Sequence, residues 1–138
     1  MATTGRVYEF DVAVDRTGTA TSGLGGTPIE RSDEWWAEHL VLAGLVRCTL
    51  ASLAYSARRA EVEVTAEGRA HGTVTKREAD GLYAFVAVES SFEVELSPPL
   101  EPDALATLLE KTEHGCFVGN SLSTRPRYRW KVNGEEVA

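Results

Sequence analysis

Basic residues are the minority charge in this chain, 14 Lys and Arg against 21 Asp and Glu, for a formal net charge of -7. A surface of that sign is a poor match for phosphate backbones, which argues against a nucleic-acid partner and equally against an anionic membrane surface. Long apolar runs are missing as well. The longest, Leu40 to Val46, is far too short to cross a bilayer. The first ten residues contain no apolar core of the kind a secretory leader needs, so a cytoplasmic location is expected. Cysteine is scarce too, with only Cys48 and Cys116, far apart in the chain. Two isolated thiols make neither a zinc ribbon nor a CxxC motif. His39 and His114 lie near Glu38 and Cys116, but no ligand pair has zinc-like spacing and no nucleophile elbow accompanies a Cys and His. Neither a metal nor another cofactor is therefore expected. In a reducing compartment the two thiols are either unrelated core residues or a transient redox pair.

What is present reads as one α+β domain over residues 1–138, without internal repeats or a linker. Val7 to Val14 alternates like a strand, and Asp15-Arg16-Thr17-Gly18 is turn chemistry leading into a second strand over Thr19 to Leu24. Ser32 or Asp33 offers a helix cap, and from Trp35 to about Arg59 apolar residues recur at helical spacing. Leu42, Leu45 and Val46 widen that apolar face almost all round, which points to burial in a larger assembly. Glu61 to Thr65 and Thr73 to Thr75 alternate, Asp80-Gly81 signals a hairpin, and Leu82 to Leu96 is a long alternating strand ended by Pro98 and Pro99. A second helix follows over Asp103 to Glu113, with Pro102 at its first position. A short helix begins near Cys116, Arg127 to Val132 is a further strand, and Asn133-Gly134 forms a terminal turn. Strands and helices segregated in this way indicate α+β, not a parallel α/β sheet.

Cys48 lies within LVRCTLASL in the long helix, and Cys116 follows a glycine break at the start of a short one, where a thiolate is favoured. The segment EHLVLAGLVRC, from Glu38 to Cys48, resembles the signature of the OsmC/Ohr family, in which a glutamate precedes the reactive helix cysteine by ten positions. HGCFVGNSL, around Cys116, resembles that family's second cysteine, although members often have proline where Phe117 stands, and proline before the glutamate where Ala37 stands. The turn at Arg16 resembles the site of the catalytic arginine in the Ohr branch, and Arg31 is the candidate if the OsmC branch is followed.

The resemblance implies an intertwined homodimer in which antiparallel sheets wrap long central helices. It further implies a thiol-dependent reductase of organic hydroperoxides. Cys48 would become a sulfenic acid, Cys116 would condense with it, and an external dithiol of lipoyl or thioredoxin type would reduce the disulfide. Arg16 would stabilise the thiolate and Glu38 would hold the arginine. Ten helical residues span about 15 Å, so Glu38 is expected to serve the partner's Cys48 rather than its own. The alternative is a binding or structural member of the same fold with little turnover, holding a small apolar ligand at the dimer interface.

Overall fold

One long helix packed on a four-stranded sheet organises residues 38–137 in the computed structural model, which describes residues 5–137. Residues 1–4 and 138, also covered by the readings of the N-terminus and of one domain over 1–138, lie outside the described residues. The chain forms two compact units, one ending at Ala37 and the other starting at Glu38.

The first unit is built around a small hairpin, β1 (Val12–Val14) against β2 (Ala20–Ser22), with Ile29 bridging to Ala20. Its turn forms where the sequence places it. Asp15 Oδ1 accepts hydrogen bonds from the amides of Thr17 and Thr19, and Gly18 takes a φ of 86°. The strand expected over Val7 to Val14 is cut to its last three residues, because only those find a pairing partner among the described residues. Ser32 and Asp33 do not cap the long helix. They start a separate turn, in which Trp35 N–H donates to Ser32 O and Trp36 Nε1 donates to Asp33 O, and the helix begins later.

The second unit opens within the first turn of α1 (Ala37–Arg59), a helix that carries Glu38 in that turn and Arg58 and Arg59 in its last, both favourable to the helix dipole. Leu45, Thr49, Leu53, Ser56 and Ala57 form its buried stripe. By length and composition α1 could also cross a membrane, with a mean hydropathy of 1.6, although no apolar run in it is long. Its stripe packs instead against strand and helix residues of the core. The helix ends in a Schellman arrangement: Val62 N–H donates to Ala57 O, Glu61 N–H donates to Arg58 O, and Glu61 takes a φ of 59°. Glu61 is thus consumed by the helix end, and the strand expected from Glu61 starts at Glu63.

That strand, β3 (Glu63–Lys76), joins two expected fragments into one and pairs antiparallel along its length with β4 (Tyr83–Ser97). Arg77 clips the hairpin turn to Asp80 at 3.2 and 2.7 Å. After β4 come α2 (Pro102–His114), α3 (Phe117–Ser121) and β5 (Arg127–Val132), which pairs parallel with β4. The sheet is therefore mixed rather than wholly antiparallel, because a crossover through two helices returns the chain in its original direction. Asn133-Gly134 is not terminal: it turns the chain into a last strand, β6 (Glu135–Val137).

The main core joins Leu53 and Ala57 of α1, Phe92, Val94 and Leu96 of β4, Leu108 and Leu109 of α2, and Trp130 and Val132 of β5. Trp130 stacks on Phe92 with ring centroids 4.7 Å apart, consistent with a packing role in the sheet. Phe92 also lies over Gly68, its cross-strand partner on β3, and a Cβ at that glycine would overlap the ring edge. Since Phe92 is buried and held by Trp130, it has little freedom to yield. Gly68→Ala is expected to lower stability by about 1–3 kcal/mol in urea unfolding, the usual range for overpacking a core. An unchanged midpoint would contradict this packing.

Candidate active site

Both cysteines are free thiols, and the fold brings them together. Cys48 sits in the middle of α1. Cys116 reaches it because α2 ends against α1: Ser52 Oγ donates to Thr112 O at 2.7 Å, and Gly115 passes so close to Ser52 that a Cβ there would sit 2.6 Å from its hydroxyl. Glycine at this crossing lets the chain drop directly from α2 into α3, with Cys116 as the N-cap. The Cys116 backbone is extended, with φ -85° and ψ 98°, and Sγ accepts the amide of Gly119 at 3.4 Å.

The two sulfurs have different surroundings. Cys116 has no solvent exposure. Its Sγ lies 3.2 Å from Thr49 Oγ1 and 3.9 Å from Leu45 O. Tyr128 brings its hydroxyl to the same place from β5, where a Cβ at Gly119 would meet both that hydroxyl and Cys116 Sγ, and the phenol responds to both Cys116 and Thr49. Burial first, and then that bond to Cys116, push the Tyr128 phenol well above its ordinary range, so it remains a proton donor. Cys48 is half-buried, and it borders a small apolar cluster that includes Leu42, Leu45, Phe85, Val88, Val118 and Leu122.

Burial is the main influence on Cys48 and pushes its thiol up; the adjacent Cys116 acts in the same sense. The backbone amides of Val118 and Phe117 oppose both by hydrogen bonding to Cys48. The sequence suggested that the start of the short helix would favour a thiolate at Cys116. The structure turns its first two amides toward Cys48 instead, and leaves Cys116 to Gly119 and the two hydroxyls. Phe117 matters here for its backbone: a proline at that position has no N–H to offer.

The other candidates lie elsewhere. Glu38 is exposed in the first turn of α1, about 15 Å along the helix axis from its own Cys48 at 1.5 Å per residue. Arg16 and Arg31 both belong to the first unit, where the aliphatic stem of Arg31 lies over Gly18, in the turn that also carries Arg16. Arg47 is exposed, facing away from the Thr49 stripe. Sequence reasoning passed over Thr49 and Tyr128. Thr49 had a usable signal, since it is a polar residue midway between Leu45 and Leu53 on the buried stripe of α1.

Over residues 32–131 the sequence matches the family described as OsmC-like protein. No curated protein matches it. The fold is similar to that of an OsmC-like protein of unknown function from Vibrio cholerae, with a TM-score of 0.76 and 17% identity over 90% of this chain and 99% of that one. It is also similar to the organic hydroperoxide resistance protein OhrB of Bacillus subtilis (TM-score 0.57, 16% identity, 91% and 96% covered). A third similar structure is an organic hydroperoxide resistance protein from Elizabethkingia anophelis (TM-score 0.63, 18% identity, 92% and 96% covered).

Phe117→Pro tests the amides at Cys48. Position 117 is the first residue of α3 and Cys116 before it is extended, so the backbone accepts proline. Removing one N–H leaves less thiolate at a given pH. Alkylation of Cys48 by iodoacetamide at pH 8 is expected to slow several-fold relative to Phe117→Ala, on the scale of one hydrogen bond to a charged group. Equal rates for the two variants would contradict the arrangement.

Proposed function

This chain belongs to the family of OsmC-like proteins, and we propose that it reduces organic hydroperoxides with Cys48 and Cys116. The observation that carries this reading is the pairing of a half-exposed thiol, which receives two backbone amides, with a fully buried second thiol beside it. The names of two structural neighbours as organic hydroperoxide resistance proteins support the same chemistry.

The Cys48 thiolate attacks the terminal oxygen of ROOH. The O–O bond breaks, ROH leaves with a proton, and Cys48 becomes a sulfenic acid. Cys116 attacks that sulfur and displaces water, giving the Cys48–Cys116 disulfide. An external dithiol of lipoyl or thioredoxin type then returns two electrons and two protons, and leaves as its own disulfide. The apolar side chains beside Cys48, among them Leu42, Phe85 and Val118, suit an alkyl hydroperoxide better than hydrogen peroxide.

Burial alone would keep Cys48 protonated, so the mechanism calls for a cation. Arg16 is our candidate, with Arg31 at the same turn as the other, and Glu38 orients it. The 15 Å separation along α1 supports a homodimer in which Glu38 serves the partner's Cys48. Exposed apolar side chains in both units, including Val7, Phe10 at 81% exposure, Leu40 and Val41, support the same assembly. Structural similarity over at least nine-tenths of the chain supports one domain over residues 1–138. Two free thiols suit a cytoplasmic location. One observation favours the alternative of a ligand-binding member with little turnover, namely the burial that raises the Cys48 thiol.

Turnover of an alkyl hydroperoxide with dihydrolipoamide separates the two. Wild type is expected to cycle, Cys48→Ser to fall to the uncatalysed level, and Cys116→Ser to consume about one equivalent and stop as a sulfenic acid. Peroxide consumption that Cys48→Ser leaves intact would refute the proposal. The arginine is identified by its pH profile. Loss of Arg16 is expected to move Cys48 alkylation to higher pH, and loss of Arg31 to leave it in place; the reverse would transfer the role to Arg31.

A further inference from the structure

The buried surroundings of Cys116 contain more polar groups than a packed thiol needs. Thr49 Oγ1 lies 3.2 Å from Sγ and already donates its proton to Leu45 O at 2.9 Å. With the Thr49 proton on Leu45 O, the Cys116 S–H is left to donate to Thr49 Oγ1 or, at 3.9 Å, to Leu45 O. Tyr128 brings a second hydroxyl to the same sulfur, and Gly119 brings an amide at 3.4 Å. A side chain at position 119 would collide with the Tyr128 hydroxyl and reach 3.3 Å from Sγ, so glycine keeps these groups in contact. Ser90, buried on β4 in register with Tyr128 on β5, adds a further hydroxyl on the inward face of the sheet. Cys116 itself is set among Leu45, Val88 and their apolar neighbours, and Tyr128 reaches it from the edge of the main core.

Hydroxyl protons rotate, so such a pocket can change its hydrogen bonding with the charge on the sulfur. When Cys116 carries a negative charge, the Thr49 hydroxyl can turn from Leu45 O to Sγ and the Tyr128 O–H can be directed to the same sulfur, while Gly119 donates from its present position. Among the described residues Cys48 has no hydroxyl partner of this kind, and it is the more accessible of the two. A disulfide is cleaved by attack at one sulfur and departure of the other, and the better-stabilised thiolate leaves faster.

We propose that Thr49 and Tyr128 solvate Cys116 as the leaving thiolate when the Cys48–Cys116 disulfide is reduced, so that the reducing thiol attacks Cys48 and is carried there as a mixed disulfide. This rests on the redox reading of the pair. In the first step the thiolate RS⁻ bonds to Cys48 Sγ, the bond between the cysteines breaks, and its electron pair goes to Cys116 Sγ, which then takes a proton from solvent. In the second step the other thiol of the reductant attacks its own bound sulfur, closes the reductant's disulfide and releases Cys48. Two electrons and two protons pass from the dithiol to the protein. Thr49 and Tyr128 act through Cys116 and are positioning residues.

The test starts from protein oxidised chemically with diamide, so that it does not depend on peroxide turnover. A monothiol such as 2-mercaptoethanol traps the mixed disulfide, which peptide mass spectrometry locates. It is expected on Cys48, and finding it on Cys116 would overturn the proposal. Reduction of the same disulfide by dithiothreitol is expected to slow on the order of tenfold in Thr49→Val and in Tyr128→Phe, the scale of one hydrogen bond to an anion. Thr49→Ser, which keeps the hydroxyl, is expected to restore the rate. A rate insensitive to both hydroxyls, or a loss that serine does not rescue, would overturn it. If diamide forms the disulfide and alkyl hydroperoxide does not, the peroxidase reading fails while the leaving-group assignment is still decided by these data. If neither forms it, both fail.

Discussion

The contact between the middle of α1 and the start of α3 is the constraint on which the rest of this structure depends. It places a fully buried sulfur, Cys116, beside a half-buried one, Cys48, and gives each a different set of donors. Negative charge on a sulfur without solvent has to be met by groups of the protein in place of water. Thr49, Tyr128 and Gly119 are such groups for Cys116, and the amides of Phe117 and Val118 are their counterparts for Cys48. The asymmetry between the two sulfurs is thus already fixed in the reduced, resting chain.

Much of the remaining architecture serves to hold that contact. The long β3–β4 hairpin provides the surface on which α1 lies, and the parallel return of β5 brings Tyr128 under α3. The clamp from Ser52 to Thr112 fixes where α2 stops, and Gly115 lets α3 begin immediately afterwards. A change of one residue in the length of α2 would rotate Cys116 by about 100° about the helix direction, enough to remove it from Cys48. Only one side of α1 is buried by its own chain, which leaves Leu40 and Val41 available to an assembly of two copies.

Local signals in the sequence were read well where chemistry is local. The Asp15–Gly18 turn, the Asp80-Gly81 hairpin and Pro102 at the start of α2 all rest on residues that specify their own backbone. Readings failed where a neighbour decides. Ser32 is a good helix cap by composition, but it is taken up by its own turn. Glu61 belongs to an alternating stretch, but its left-handed conformation closes the helix before it. The direction of β5 depends on the crossover, which alternation within Arg127 to Val132 cannot reveal. At the site, the meeting of Cys48 and Cys116 was legible through resemblance to a family, whereas Glu38 and Arg16 belong to the proposal. Thr49 was marked only by being a polar residue on an apolar stripe, and Tyr128 by nothing in its own segment, because its importance comes from meeting Cys116 in space.

Mapping of disulfides after one equivalent of an alkyl hydroperoxide tests the central claim most directly. The fully reduced protein, treated briefly and then alkylated, is digested without reduction. The account requires a single new cross-link within one chain, joining the peptides of Cys48 and Cys116, with both free thiols lost together. Cross-links between chains only, or thiols that survive the treatment, would contradict it.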